Sequence, residues 1–392
     1  MSQPVAGPRL SDQQRLSWLR LIRTPNVGRA GIMAQTPRVC AIIPGRASFR
    51  ELINRFGSAE AALEMLPELM ISGGASRVAR IPSVAEAEAE LETARRAGAR
   101  FVGIGEADYP PLFKTLDNPP PLLAIKGEGA VFRLPAVAIV GARNASLAGI
   151  KMARTLAADL GREGYAIVSG LARGIDTAAH RGGLSTGTVA ALAGGLDAPY
   201  PPENADLCNE IVERGGAIVS EMPFGWQPRA QDFPRRNRLV AGMALGLVVV
   251  EAAQRSGSLI SARLANQMGR LVFAVPGSPL DPRAAGSNAL LKDGATLVTE
   301  AADILDALTP LAGPRVPRGT PPAEPPDLSW TPPPGENERA DVLETLGPTP
   351  IAIDEIIRHT GLSAAQIAMV LLELDLAGRI ERHAGGNVSL VP

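Results

Sequence analysis

Eight apolar runs, separated by helical segments in a regular rhythm between about residues 122 and 308, leave this chain few possible folds. The runs are LLAIKG, AVAIVGAR, YAIVSG, TVAALAGG, AIVSEMP, LGLVVVEA, RLVFAVPG and ATLVTE. Each is continuously apolar rather than alternating, so each must be buried on both faces, as strands of a parallel sheet covered by helices are. The pattern predicts an α/β domain with a Rossmann-like, doubly wound parallel sheet. With an Ala/Glu/Arg helix over residues 83–97 included, that domain spans residues 83–308.

The flanks read differently. Residues 10–82 are helical in pattern through LSWLRLIRT, SFRELINRFG and SAEAALEML, although between Gly28 and Ser48 the periodicity dissolves. Residues 309–335 are rich in proline and end in PPPG, which predicts an extended, semi-rigid linker. Residues 336–392 read as three helices and a hairpin around Gly385 and Gly386, a winged helix-turn-helix. Thr360-Gly361 ends the second of those helices and Ser363 caps the third, whose Ile367, Val370, Leu371, Leu374 and Leu376 face a small core.

A chain of 392 residues with 45% hydrophobic content accommodates two or three domains. Cys40 and Cys208 lie far apart with no CxxC or Cys/His spacing, which argues against a disulfide framework or a zinc site and fits a reducing cytoplasm. The N-terminus has no basic-then-apolar signal pattern, and the longest apolar run, residues 239–250, is too short to span a bilayer. A soluble cytoplasmic protein is expected. The formal net charge of -1 means that a polyanion must be held by a local basic patch. The winged helix does not supply it. It carries nine Asp/Glu against four Arg, a side-chain balance of -5, and its third helix has no basic residue before Arg379. A protein-binding or dimer-modulating role fits that module better.

In an open parallel sheet, ligands bind beyond the carboxyl ends of the strands, where helix N-termini present unpaired N–H groups. Five such strand ends carry anion-friendly residues. The first, VGARNAS, resembles a dinucleotide fingerprint after Gly141, but Arg143 replaces the glycine that lets backbone approach a pyrophosphate. Arg143 offers a bidentate fork to one phosphate; an ordinary turn with a solvated arginine explains the motif equally well. The second, SGLARGIDTAAH, brings Ser169, Gly170, Arg173 and Gly174, with Asp176 as a helix cap and His180 as a packing histidine rather than a catalyst. The third, QPRAQDFPRRNRLVAGMALG, crowds Arg229, Arg235, Arg236, Asn237 and Arg238 around Phe233. Guanidinium groups neutralise successive phosphates while a ring stacks on a splayed base; a solvated arginine-rich loop over a tucked phenylalanine is the other reading. The fourth presents Ser256, Gly257 and Ser258 at a helix start, and the fifth presents Gly277 and Asn288 in a glycine- and proline-broken loop.

In order and spacing, VGARNAS, SGLARGIDTAAH, FPRRNRLVAG, EAAQRSGSLISARLA and VPGS followed by GSNALLKDGA resemble the DNA-processing protein A (DprA/Smf) family across the α/β region. The flanking helical region and winged helix are similar in arrangement. The resemblance implies a small N-terminal domain of SAM or helix-hairpin-helix type and a Rossmann-like homodimer. It also implies single-stranded DNA in a basic pocket and RecA recombinase as a partner to be loaded during natural transformation. Residue by residue, it implies phosphate contacts by Arg143, Arg173, Arg235, Arg236 and Arg238, with the Ser256–Ser258 turn nearby and Phe233 stacking. It departs from the family where residues 29–47 interrupt the N-terminal helices.

No Walker A, HExxH, GxSxG or paired-carboxylate spacing is present, so the sequence makes no case for catalysis, a cofactor or a metal. A nucleotide phosphoribohydrolase of the lysine-decarboxylase-like Rossmann group is the alternative of another class. Its PGGxGTxxE pattern is missing, because QRSGSLISARLA lacks the double glycine and the glutamate. A dinucleotide-dependent oxidoreductase is disfavoured by Arg143.

Overall fold

The computed structural model describes residues 9–25, 27, 47–75, 78–116, 118–312, 335–383 and 386–391. Residues 29–46 with Cys40, the linker over 313–334 and the hairpin tip at Gly385 lie outside the described residues. The described residues form two compact units, one within Ala89–Arg318 and one drawing on both Leu10–Glu88 and Gly319–Pro392.

Helices α1 (Asp12–Arg23), α2 (Ala47–Phe56), α3 (Ala59–Ser72) and α4 (Val84–Arg96) precede the sheet. Strands β1 (Ala99–Gly103), β2 (Leu122–Gly127), β3 (Ala136–Gly141), β4 (Ala166–Ser169), β5 (Thr188–Ala191), β6 (Ala217–Ser220), β7 (Gly246–Val250), β8 (Leu271–Ala274) and β9 (Thr296–Leu297) follow. They pair in the order β1-β2-β6-β5-β4-β3-β7-β8-β9. All eight expected strands are present, and β3 to β9 are parallel. The expectation of a wholly parallel sheet needs correction at one edge. There β2 runs antiparallel to β6, and a ninth strand, β1, runs antiparallel to β2.

Between the parallel strands lie α5 (Leu147–Arg162), α6 (Ile175–Gly183), α7 (Ala205–Glu213), α8 (Asp232–Gly242), α9 (Gly257–Gln267) and α10 (Ala285–Lys292), with α11 (Ala301–Ala312) after β9. Successive strand residues point to opposite faces. Ala138, Val140, Leu247 and Val249 join one core with Leu239, Val240 and Leu264 of α8 and α9. Val137, Ile139, Val248 and Val250 join the other with Leu156, Leu160, Ile175 and Ile304 of α5, α6 and α11. Every residue of β7 is buried, which is why its sequence shows no polar alternation.

The second unit joins the two ends of the chain. Helices α12 (Glu336–Thr345), α13 (Ile353–Thr360) and α14 (Ala364–Leu376) pack with β10 (Ile351–Ala352), β11 (Ile380–His383) and β12 (Asn387–Leu390), paired in the order β10-β12-β11, as a winged helix. Gly361 ends α13 at a left-handed φ of 67°, and Ser363 caps α14 by accepting from the Gln366 N–H. One face of α14 meets the expected core through Ile367, Val370, Leu371 and Leu374. Its other face is also buried, because α2 and α3 cover it. A Cβ on Gly73 would lie 2.0 Å from the Glu373 carbonyl oxygen, and Arg382 pairs with Glu51 at 3.3 Å. The Glu373 carboxylate, 2% exposed, is gripped by Arg339 at 2.7 and 2.8 Å. Most of the helix that often reads DNA in this architecture therefore lies inside the unit.

Candidate nucleic-acid interface

The switch point of the sheet falls between β3 and β7, where successive connections leave in opposite directions. Above it, Ser146 caps α5 by accepting from the Gly149 N–H at 3.0 Å. The same first turn holds the carboxylate of Glu251, the residue that follows β7. Ser146 donates its N–H to one oxygen at 2.9 Å and its hydroxyl to the other. Glu251 sits at a left-handed φ of 54°, a conformation that costs roughly 1–3 kcal/mol in a residue other than glycine. A Cβ on Gly149 would come within 2.6 Å of the Glu251 carboxyl carbon. An internal anion thus occupies the helix start at which a Rossmann protein would seat a pyrophosphate. At this strand end the N–H groups of Ser146 and Gly149 are engaged internally, and the Arg143 side chain is exposed. Gly141 serves packing, since a Cβ there would lie 1.8 Å from the Val250 carbonyl oxygen.

At the end of β4, Ser169 donates its hydroxyl to the Ile139 carbonyl at 2.6 Å. The N–H groups of Gly170 and Ala172 donate to the carboxylate of Asp176 at 3.1 and 3.3 Å. Asp176 is therefore not the helix cap expected of it: it lies inside α6, whose N-cap is Gly174, and its carboxylate ties down the preceding loop. Gly174 turns the chain at a φ of 75°, and a Cβ there would strike the Ala142 carbonyl at 2.3 Å. Arg173 stands 61% exposed and pairs with Glu203. His180 is fully buried, with Nδ1 2.8 Å from the Thr188 hydroxyl, which itself donates to the Ile167 carbonyl. Burial, and secondarily Arg236, holds the His180 pKa down to about 3, so the ring is neutral and packs.

The arginines of α8 turn in different directions. Arg236 is 6% exposed and crosses directly over Gly170, where a Cβ would lie 1.3 Å from its Nη1. It faces Asp176 at 3.6 Å. Burial pushes the Asp176 carboxyl up against the opposing pull of Arg236 and the two amides, and burial draws the Arg236 guanidinium down. Arg238 is likewise buried, donating to the Asn118 carbonyl at 2.7 Å and pairing with Glu221 at 3.4 Å. Asn237 donates to the Gly257 carbonyl at 3.3 Å, linking α8 to the start of α9. Arg235 is half-buried and lines a small cavity with Leu192, Met222 and Asp232.

Phe233 brings together an exposed and a buried arginine. The guanidinium carbons of Arg143 and Arg236 lie 5.2 and 5.7 Å from its ring centroid, within cation–π range. Tyr200 packs T-shaped with it, the ring centroids 5.8 Å apart. Nearby, Asp232 accepts from the Trp226 indole and the Arg229 N–H, both at 2.9 Å, while the Arg229 guanidinium stacks 4.6 Å from the Trp226 ring.

The two remaining strand ends are internally satisfied to different degrees. Ser256 caps α9 by accepting from the Ser258 N–H at 3.3 Å, the two hydroxyls sharing a hydrogen bond of 2.6 Å, and Gly257 is open to solvent. Gly277 and Asn288 bond each other reciprocally at 3.1 and 2.9 Å, a clamp that shapes the loop after β8. The structure thus gathers Arg143, Gly170, Phe233, Arg235 and Arg236 at one site, places Arg173 on the neighbouring loop and joins Ser256–Ser258 through Asn237. Gly277 and Asn288 stand apart beyond β8. Sequence reasoning missed Tyr200, Glu251 and the Trp226–Arg229 stack; the only signal for the first was an aromatic residue in a proline-rich strand-end loop. Among the described residues no group of three His, Cys, Asp or Glu is placed to hold a metal.

A Rossmann-like sheet with arginines at its carboxyl rim, accompanied by helical and winged-helix elements, defines the class of protein. The chain belongs to the DNA recombination-mediator protein A family, which it matches over residues 100–309. Residues 320–386 match the DprA winged helix domain and residues 43–93 the DprA-like N-terminal HHH domain. Protein Smf of Escherichia coli K12 is 37% identical over 296 residues, covering 72% of this chain and 75% of that protein. The DNA processing protein DprA of Streptococcus pneumoniae R6 is 42% identical over 199 residues, covering 50% of this chain and 70% of its own length. The X-ray structure of DprA from Streptococcus pneumoniae superposes with a TM-score of 0.53 at 38% identity, over 57% of this chain and 78% of that one. These matches bear out the family resemblance and, with it, a role in DNA processing and recombination. No helix among the described residues is long and apolar enough to cross a membrane.

Proposed function

We propose that the chain binds single-stranded DNA along the carboxyl rim of its sheet, without transforming it, and passes the strand to a RecA recombinase during natural transformation. It works in the cytoplasm as a homodimer joined through the Rossmann-like domain. The observation that carries this reading is the cluster at Phe233, where Arg143 and Arg236 converge on one ring while Arg143 and Arg173 remain exposed. Exposed guanidiniums on a rigid base suit a flexible polyanion whose bases are not read individually. Membership of a recombination-mediator family points the same way.

A hydrolase or a dinucleotide enzyme loses ground on the same rim. Glu251 fills the helix start that would receive the nucleotide phosphate, and the buried His180 is neutral. Incubation with nucleoside monophosphates followed by a search for free base discriminates the hydrolase directly.

The test is fluorescence anisotropy of labelled oligothymidine, single-stranded and duplexed, across a salt series. The variant is Arg143→Ala/Arg173→Ala, chosen because both side chains are exposed, whereas removing Arg236 would strand Asp176 as a buried charge. Preferential single-strand binding is expected. Each lost phosphate contact should flatten the log–log salt slope by about 0.7. Equal binding and equal slope in both proteins would move the DNA site elsewhere, and no binding by the wild type would refute the function.

A further inference from the structure

Among the described residues Tyr200 is the aromatic side chain that the fold leaves exposed, at 46% of its surface. Its loop is not loose. Asp197 accepts twice from the Gly225 N–H, at 2.9 and 2.8 Å, and the Gly195 N–H donates to the Trp226 carbonyl at 2.9 Å. At the far end Asn204 donates to the Leu171 carbonyl at 2.8 Å and to the Thr177 hydroxyl at 2.9 Å. The loop is therefore pinned to the ends of both β4 and β6.

Two exposed arginines bracket the ring. Glu203, three residues on, holds Arg173, while the Phe233 ring that packs T-shaped with Tyr200 carries Arg143. Phe233, half-buried, is already engaged by two guanidiniums and by the Tyr200 ring. A nucleotide whose phosphates rest on these arginines would find its nearest open π-surface on Tyr200, not on Phe233. We propose that Tyr200 is a nucleobase-stacking residue of the strand-binding rim, with Phe233 acting chiefly as the post that positions Arg143 and Arg236. The proposal rests on the single-strand reading above and adds to it a second recognition chemistry, stacking on a base of any identity.

The experiment compares the wild type with Tyr200→Ala, Tyr200→Leu and Tyr200→Phe on labelled oligothymidine and on an abasic oligonucleotide of equal charge. Loss of one stacked base should weaken oligothymidine binding roughly 5- to 150-fold in both the Ala and Leu variants, while Phe stays within about twofold. Leu keeps apolar bulk against Phe233 without a π-face, so it guards against a mere packing effect. The abasic strand should bind all four proteins alike, with one salt slope, because no phosphate contact changes. Oligothymidine binding by Tyr200→Leu equal to the wild type, or equal losses on both strands, would overturn the stacking role. Failure of the wild type to bind either strand would instead overturn the single-strand reading.

Discussion

Acid should destabilise the sheet unit through one side chain, and the size of the effect follows from the structure. His180 has no exposed surface, its Nδ1 faces the Thr188 hydroxyl at 2.8 Å, and its Nε2 has no hydrogen-bond partner. Protonation would bury an imidazolium near Arg236, so the folded pKa falls from 6.5 to about 3. A depressed folded pKa means that the unfolded chain binds the proton first. The stabilisation is full above pH 6.5 and is lost as pH falls towards 3. Between pH 7 and pH 4 the loss comes to ~3 kcal/mol, a large share of what holds a domain together. Urea-dependent hydrogen exchange of peptides from β4 and β5 reports this unit separately from the other. His180→Gln removes the titration, and carboxylates common to both proteins cancel in the comparison. The pH profile of the variant should be flatter than that of the wild type by ~3 kcal/mol over this range, whatever its absolute stability. Parallel profiles would refute the buried neutral imidazole.

Gly170→Ala places a methyl group 1.3 Å from Arg236 Nη1 and should uncouple it from Asp176, lowering the stability of the sheet unit by roughly 3–5 kcal/mol. A variant with an unchanged melting temperature would mean that Arg236 does not cross this glycine. Glu251→Ala leaves the Ser146 N–H without its carboxylate and should cost about 1–2 kcal/mol, with millimolar phosphate raising the melting temperature of the variant more than that of the wild type. Equal phosphate responses would show that the helix start is closed by something other than Glu251. Gly73→Val forces a side chain into the Glu373 carbonyl, so limited proteolysis should release the winged helix while single-strand affinity changes little; a large loss of affinity would give that module a direct part in binding.

Much of the fold was legible because its strands are buried on two faces, and two-sided burial writes itself into sequence as runs such as LGLVVVEA. Strand β1 escaped because ARFVG is short and carries Arg100, whose guanidinium bonds the Gly127 carbonyl at 2.8 Å and Asp108 at 3.0 Å. The antiparallel sense of LLAIKG was equally hidden, since an apolar pattern records burial and not direction. In α14 the apolar residues run all round, yet only one face was read; Met369 and Leu372 on the other lie at 5% and 2% exposure. The rim was legible as a set of arginines but not as a geometry. Glu251 engages Ser146, 105 residues away, and no local pattern announces such a partner.

The directions in which the arginines turn explain how a nearly neutral chain could hold a polyanion. Arg236 and Arg238 face inward onto Asp176 and Glu221, with their charges paired below the surface. They contribute rigidity, and Arg236, through the Phe233 ring it shares with Arg143, fixes where Arg143 projects. Arg143 and Arg173 are left to meet solvent, held by ring contact and by Glu203 rather than by burial. A side chain ordered before binding gives up less freedom when a phosphate arrives, so a few fixed arginines outperform a larger number of mobile ones. Two kinds of arginine variant should therefore separate experimentally. Outer substitutions should flatten the salt slope of strand binding at constant stability, and inner ones should lower stability while leaving the slope of the surviving folded protein nearly intact. If both kinds changed the slope alike, the inward arginines would also be touching the strand, and the division between frame and contact surface would fall.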